Sequence, residues 1–248
     1  MGLTYGTVHL EWNYLKAVGA RIHRESPRVW RFSQPWWPKD EDLNAVWYHP
    51  SAAAGREFAD TLARVAPAVA RCLEWPAAEG RPLPTSPSLL AHWIADEVWW
   101  MIGTAVDVRP IANLTLRPIA RAVEQTDYLS LWQGVFGSWR PDLLAQRLQF
   151  ARWSMNQPGM GGLLAYWGSV PVGSCDSFHE RGKVRAENLW VDPAYRGRGV
   201  GSRRLAAICA SASMTLATVP ADADIFNFYR ALGFRRLAIQ RLWSNPEW

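Results

Sequence analysis

Residues 188–201 read NLWVDPAYRGRGVG. An apolar run that suits the end of a strand passes through Val191-Asp192-Pro193 into YRGRGVG, Tyr195 to Gly201, where three glycines and two arginines fall within seven residues. Beyond it, Val200, Leu205, Ile208 and Cys209 recur as on one face of an amphipathic helix. Glycine spacing alone also marks ordinary turns. A strand that hands the chain to a helix through such a loop, however, creates a helix N-terminus whose first N–H groups have no intrahelical partner and carry partial positive charge. Glycine at 197, 199 and 201 removes the Cβ atoms that would keep a pyrophosphate from the backbone, while Arg196 and Arg198 add charge at its edge. A nucleotide-like diphosphate is the natural ligand.

The segments before the loop decide which nucleotide fold is meant. Leu163–Trp167, Pro171–Phe178 and Lys183–Val191 read as three strands joined by turns at Gly168-Ser169 and Glu180–Gly182, an antiparallel meander. A dinucleotide fold would put its glycines after the first strand of a parallel unit, with an acidic residue about 20 positions on. A Walker loop would close on Gly-Lys-Ser/Thr, which GVGSRR does not supply. Both readings fail. Further upstream the pattern predicts a short strand through Leu114, Leu116 and Pro118 and helices over Arg121–Phe136 and Pro141–Met155; downstream, MTLATV is a strand, ADIFNFYRALG a helix ended by Gly233, and FRRLAIQRLW a last strand.

In that setting LWVDPAYRGRGVG resembles the acyl-CoA loop of the GCN5-related N-acetyltransferase (GNAT) family, with Arg196, Gly199 and Gly201 at its patterned positions. A second signature follows at the expected distance, since FYRALGF, Phe228 to Phe234, is similar to the Tyr-x-x-Leu-Gly-Phe close of the next helix. The resemblance covers about Asn113 to Trp243. It implies an α/β (α+β) fold, a mixed and mostly antiparallel sheet flanked by helices, and an acetyl-CoA dependent N-acetyltransferase acting on a primary amine of a small molecule, with no metal. Peptide or protein amines are the alternative acceptors, and a non-catalytic acyl-CoA binding module the alternative class. The backbone of Leu189, Trp190 and Val191 is then expected along the pantetheine arm, and Arg196, Gly197, Arg198, Gly199, Val200 and Gly201 at the pyrophosphate. Acyl transfer to an amine needs an oxyanion donor, a base and an acid. Tyr229 matches the family tyrosine that protonates the departing thiolate, and Glu187, on the face shared by Leu189 and Val191, is the base candidate, ahead of Asp176 and His179. Glu187 could equally act electrostatically or pair with Arg185. Where the family often has a cofactor-contacting Asn, seven residues before the tyrosine, this chain has Asp222. After LGF it is also too short for the usual last hairpin, so the seventh strand is missing or comes from the N-terminal half.

That half carries no family motif. Residues 1–110 are expected to form an N-terminal α/β region, with room for a degenerate GNAT-like copy that caps the acceptor, and 111–248 the acetyltransferase domain. In the N-terminal region GTVHLEWNYL suits a strand, and the stretch from Arg28 to Pro50, cut by prolines, suits strands and turns. Gly55–Trp75 suits a helix kinked at Pro67, Pro76–Ser88 an exposed connection, and the segment from Ser88 to Gly103 a helix or strand end. Nine of the 16 tryptophans lie within the first hundred residues, which suits either core packing or a flat aromatic pocket, and Asp40, Glu41 and Asp42 could receive a cationic substrate. An apolar fraction of 49% with 20% charged residues fits a folded protein. The sequence shows neither a membrane span nor a signal peptide, and the three cysteines lack metal-ligand spacing, so a cytoplasmic protein is expected. The net charge of +5 is almost all arginine without a basic stripe, which argues against nucleic acid as a partner. A homodimer is left open.

Overall fold

The computed structural model describes residues 5–34, 44–49, 56–65, 71–78, 90–104, 108–137, 141–210 and 212–245. The chain packs as two compact units, one of Met1–Trp100 with Val219–Ile225 and Arg236–Trp248, the other of Met101–Thr218 with Phe226–Arg235. It is a mixed α/β protein with a large, mostly antiparallel sheet system flanked by helices, as the sequence predicts.

The first unit contains α1 (Tyr5–Ala17), β1 (Arg21–Ser26), β2 (Val29–Ser33), β3 (Ala45–Tyr48), α2 (Arg56–Val65), β4 (Arg71–Glu74), β5 (Ala77–Ala78), the greater part of β6 (Ile94–Gly103) and nearly all of β12 (Arg235–Ser244). Its strand order is β1-β2-β3-β4-β12-β6, with β5 also on β12. β1, β2 and β3 form an antiparallel meander, and β3 runs parallel to β4 across α2. β6 therefore supplies a neighbour to β12 from the N-terminal half, and Trp100 Nε1 donates to Gln240 Oε1 between them at 3.0 Å.

Three expectations are corrected here. GTVHLEWNYL belongs to a helix, because Val8, Glu11, Leu15 and Val18 are buried at three- and four-residue steps; the alternation of Val8 and Leu10 with polar neighbours only mimics a strand. The helix expected over Gly55–Trp75 closes at Val65 in its described part, and Leu73 lies in β4, where it pairs with Leu242 while Cys72 and Glu74 turn inward. The segment toward Gly103 is the ten-residue strand β6. Pro67, Ser88, most of the Pro76–Ser88 connection and Asp40, Glu41 and Asp42 lie outside the described residues.

Among the described residues, tryptophans of this unit pack against one another and into its core. Rings of Trp12, Trp30 and Trp75 meet one another at centroid distances of 5.3–5.8 Å, and Trp47 touches Trp75 and Trp100 at 6.3 and 6.2 Å, spacings at which aromatic rings contact each other and leave no flat slot between them. Beside them Val29, Val46, Tyr48, Phe58, Leu62, Cys72, Leu90, Trp93 and Trp243 form one apolar cluster.

The second unit contains β7 (Leu114–Pro118), α3 (Ala122–Phe136), α4 (Pro141–Ser154), β8 (Met160–Trp167), β9 (Val170–Glu180), β10 (Lys183–Val191), α5 (Val200–Cys209), most of β11 (Met214–Pro220) and the C-terminal part of α6 (Ala223–Ala231). Its strand order is β7-β8-β9-β10-β11, antiparallel except for the β10–β11 pair, which α5 connects. Turn chemistry fixes the register: Arg181 and Gly182, both at positive φ, join β9 to β10 as a two-residue hairpin. Ile119, Tyr128, Trp132, Ala151, Leu164 and Tyr166 make the core under α3 and α4, and Ala165, Val172 and Val200 the core under α5, so the two helical layers cover opposite faces of β8. The order α, β, β, β, α, β thus occurs in both units, as α1 to β4 and as α4 to β11.

Candidate functional site

The site begins where β10 leaves β11. Their parallel ladder runs from Lys183↔Met214 to Ala186↔Ala217 and stops, although β10 continues to Val191 and β11 to Pro220. On its other edge β10 stays paired with β9, but its register slips by one residue between Glu187↔Asp176 and Trp190↔Ser174, a β-bulge with Asn188 at φ +51°. Past the bulge Asp192 N donates to Val172 O at 2.9 Å. Backbone groups alternate between the two edges of a strand, so those of Leu189 and Val191 turn away from β9, toward the edge that β11 has left. In the first unit the corresponding parallel pair stays shut: β3 and β4 remain in register to Tyr48↔Glu74, and Trp75 N donates to Tyr48 O at 2.7 Å.

Immediately after β10, Asp192 accepts from Ala194 N at 2.8 Å and caps the short 3-10 turn Pro193–Tyr195. Gly197 and Gly199 then take φ +72° and +78°, conformations that cost a side chain about 1–2 kcal/mol. Gly199 is the N-cap of α5 and has no side chain with which to cap it, so the first N–H groups of this ten-residue helix are left for another partner. A Cβ on Gly197 would meet nothing within 4 Å, whereas one on Gly199 would lie 3.0 Å from Ile111 Cδ1. Gly201 needs no positive φ, and a Cβ there would make ordinary contacts with Phe228 and Val191. Arg198 lies over the rings of Trp167 and Tyr195 at 5.6 and 5.4 Å, and Arg196 Nε donates to Val191 O at 3.1 Å. The loop can therefore cradle an anion between helix N–H groups and two exposed guanidinium groups.

Titratable groups collect around the bulge. Glu187 pairs with Arg185, which is buried. Asp176, buried opposite Glu187, accepts from Tyr128 Oη of α3 and from Asn188 Nδ2, both at 2.7 Å on Oδ2. Arg204 of α5 is wholly buried, and its Nη2 donates to Trp190 O at 2.6 Å. Its Nε and Nη1 have no hydrogen-bond partner among the described residues, and burial lowers its guanidinium to about 10, with Cys175 and Asp176 acting in the opposite sense. Gly173 makes the room: a Cβ there would stand 2.5 Å from Trp190 O and 2.8 Å from Arg204 Nη2. On α6, Tyr229 is buried with its ring edge-on to Phe228 and Phe234 at 5.2 and 5.3 Å. Burial first, and then Cys175, Glu187 and Cys209, push its phenol up, so it is neutral and a proton donor throughout the physiological range. The helix ends at Gly233, φ +80°, with Phe234 N donating to Tyr229 O at 3.0 Å.

The residues predicted from sequence fall on three pieces: Glu187, Leu189, Trp190 and Val191 on the freed part of β10, Arg196–Gly201 on the loop and first turn of α5, and Tyr229 on α6. Asp222 caps α6, its Oδ1 accepting from Asp224 N and Ile225 N at 2.8 and 2.9 Å, and His179 bonds Ser177 Oγ at 2.9 Å on the exposed end of β9. Cys72, Cys175 and Cys209 are buried free thiols whose protonated forms burial favours. Sequence reading missed Asn188, Tyr128, Arg204 and Gly173. Three of them left a trace: an Asn and a Gly inside strands mark bulges or close approaches, and Arg204 stands four residues from Val200 and from Ile208 in the apolar stripe of α5.

Against known proteins, the family model described as an acetyltransferase (GNAT) domain matches residues 160–236, from β8 through the start of β12. No curated protein matches the chain. Among solved structures, a conserved protein of unknown function from Staphylococcus epidermidis superposes with a TM-score of 0.74 at 12% identity, covering 92% of this chain and 95% of its own. A GCN5-related N-acetyltransferase from Kribbella flavida superposes at 0.65 and 16% identity, covering 99% and 96%, and one from Sphaerobacter thermophilus at 0.57 and 15%, covering 88% and 80%. At these identities the likeness is one of fold, and it extends over both units. Residues 160–236, where the strands bulge and part, thus match an acetyltransferase (GNAT) domain, within a chain whose fold is like that of the GCN5-related N-acetyltransferases.

Proposed function

We propose that the chain is an acetyl-CoA dependent N-acetyltransferase that acetylates a primary amine of a small molecule. The observation that carries the reading is the parting of β10 from β11 after Ala186, directly before a loop whose helix N-terminus lacks a side-chain cap. An opened strand edge can take the amides of an extended pantetheine arm as an added strand would, and the α5 N-terminus can take the pyrophosphate. Leu189, Trp190 and Val191 would hold the first, and Arg196 to Gly201 the second. The donor group, when bound, supplies an activated acetyl thioester.

Around it the chain's own residues move protons. Tyr229, kept neutral by its surroundings, gives its Oη proton to the departing sulfur. Glu187, paired with Arg185, draws the acceptor ammonium and takes its proton. The closed β3–β4 pair supports reading the first unit as a degenerate copy without a donor site. No helix among the described residues is long and apolar enough to cross a membrane, and a CoA thioester donor favours the cytoplasm.

A thiol-release assay with acetyl-CoA and a panel of amines tests the reading. Amine-dependent release, with acetylated amine as the product, is expected. Tight CoA binding without turnover on any amine would leave a binding module instead.

A further inference from the structure

We propose that the β10 bulge is locked by a polar clamp acting on both faces of the sheet, and that Asn188, Asp176, Tyr128 and Arg204 are positioning residues that preform the donor edge. The proposal rests on the donor reading above. A strand leaves its parallel partner only if something holds it away, since each abandoned ladder bond exposes backbone groups that water or another partner must satisfy. At β10 the departure coincides with Asn188, the only non-glycine residue within a described strand of the second unit that takes a positive φ. Asparagine tolerates this conformation better than most residues but gains nothing from it by itself. Its side chain supplies the compensation: Nδ2 donates to Asp176 Oδ2, the same oxygen that Tyr128 Oη reaches from α3. The bulge is thereby tied, through one buried carboxylate, to the helix layer on that face.

Two residues on, the opposite face is tied in turn. Asp176 and Gly173 are three residues apart on β9 and so face opposite ways. On the Gly173 side Arg204 reaches up from α5 to the Trp190 carbonyl, through space that only a glycine leaves. Burying a guanidinium without a full set of partners is expensive, and nothing in helix packing requires it, because an aliphatic residue at the same place would continue the Val200–Ile208 stripe. What it secures is the carbonyl next to Leu189 and Val191. Asn188 and Trp190, on either side of Leu189, are both anchored toward the protein, and this leaves the backbone of Leu189 and the N–H of Val191 presented to the open edge, the Val191 carbonyl accepting from Arg196 Nε.

Reversal of the Asn188–Asp176 pair tests the clamp. Asn188→Asp sets two carboxylates against each other, and Asn188→Asp with Asp176→Asn restores a donor–acceptor pair of opposite polarity. In the full chain, backbone hydrogen exchange of the peptide covering Glu187–Val191 should rise by about tenfold in Asn188→Asp, the size of one hydrogen bond to a charged acceptor, and return to within about threefold of wild type in the double variant. The CoA dissociation constant, measured by calorimetry, should rise and recover in parallel, with kcat at saturating acetyl-CoA little changed. Unchanged exchange and affinity in a folded Asn188→Asp protein, or a double variant no better than the single one, would overturn the clamp. If wild type itself fails to bind CoA, the donor reading falls, while the exchange measurement still decides whether the bulge is locked.

Discussion

Tyr229 and Glu74 show how far one environment, burial, can move a titratable group, and in which direction its consequences run. Tyr229 is held neutral between Phe228 and Phe234, so Tyr229→Phe keeps the ring contacts and removes only the transferable proton. We expect kcat to fall about 10²-fold or more, the usual weight of one general acid, with CoA affinity and thermal midpoint unchanged. A variant that keeps full kcat would remove the acid role from this residue. Glu74, at the end of β4, is buried beside Tyr48, and burial pushes its carboxyl up to about 7 against the opposing effects of Arg241 and Tyr48. A carboxyl raised on folding adds stability below the ordinary carboxylate range and loses it as pH rises toward the folded value. Glu74→Gln should therefore match wild type near pH 4.5 and be the more stable protein above pH 7, by about 3 kcal/mol at the ~1.4 kcal/mol that each pKa unit represents, as read from urea unfolding at the two pH values. Equal stability at both would show that the group titrates normally.

Among elements, those whose periodicity their own burial repeats were legible. The Lys183–Val191 strand, the helix after the glycine loop, the helix ending at Gly233 and the final strand all occur where pattern and turn residues put them. α1 was not, because a helix carrying its buried face at Val8, Glu11 and Leu15 also alternates locally like a strand. Nor was the bulge, whose cause lies in partners distant in sequence: Asp176 is 12 residues from Asn188 and Tyr128 is 48 from Asp176. The candidate site was legible wherever its chemistry is backbone chemistry written as glycine, and illegible where side chains from separate elements meet. The glycines themselves divide. Gly199→Ala should destabilise by about 1–2 kcal/mol through its left-handed backbone alone, before the close contact with Ile111 is counted. Gly201→Ala should leave stability within about 0.5 kcal/mol, having ordinary backbone and ordinary neighbours. If its missing Cβ serves a bound pyrophosphate, the same substitution weakens CoA by about tenfold or more, an effect of ~1.4 kcal/mol that calorimetry resolves easily. A Gly201→Ala protein with undiminished CoA affinity would confine that glycine to helix packing.

At the level of the whole chain, sequence order and compact units do not coincide. β12, the last strand, pairs with β4 at Leu242↔Leu73 and with β5 at Ala238↔Ala78, so a fragment beginning at residue 111 would leave it without those partners. Such a fragment should unfold non-cooperatively or precipitate, whereas cooperative unfolding by circular dichroism would show that the C-terminal motifs suffice alone. The repeated α, β, β, β, α, β order sets one parallel pair that is closed against one that parts, and only the parting pair is followed by the glycine loop. The proposed donor site thus lies in one unit only. The most direct test is hydrogen exchange across the full chain with and without saturating CoA. Protection confined to Leu189–Val191 and Arg196–Gly201, with none at the end of β3, is the predicted result. Saturating CoA that leaves both segments exchanging as before would contradict a donor site at the parting strands.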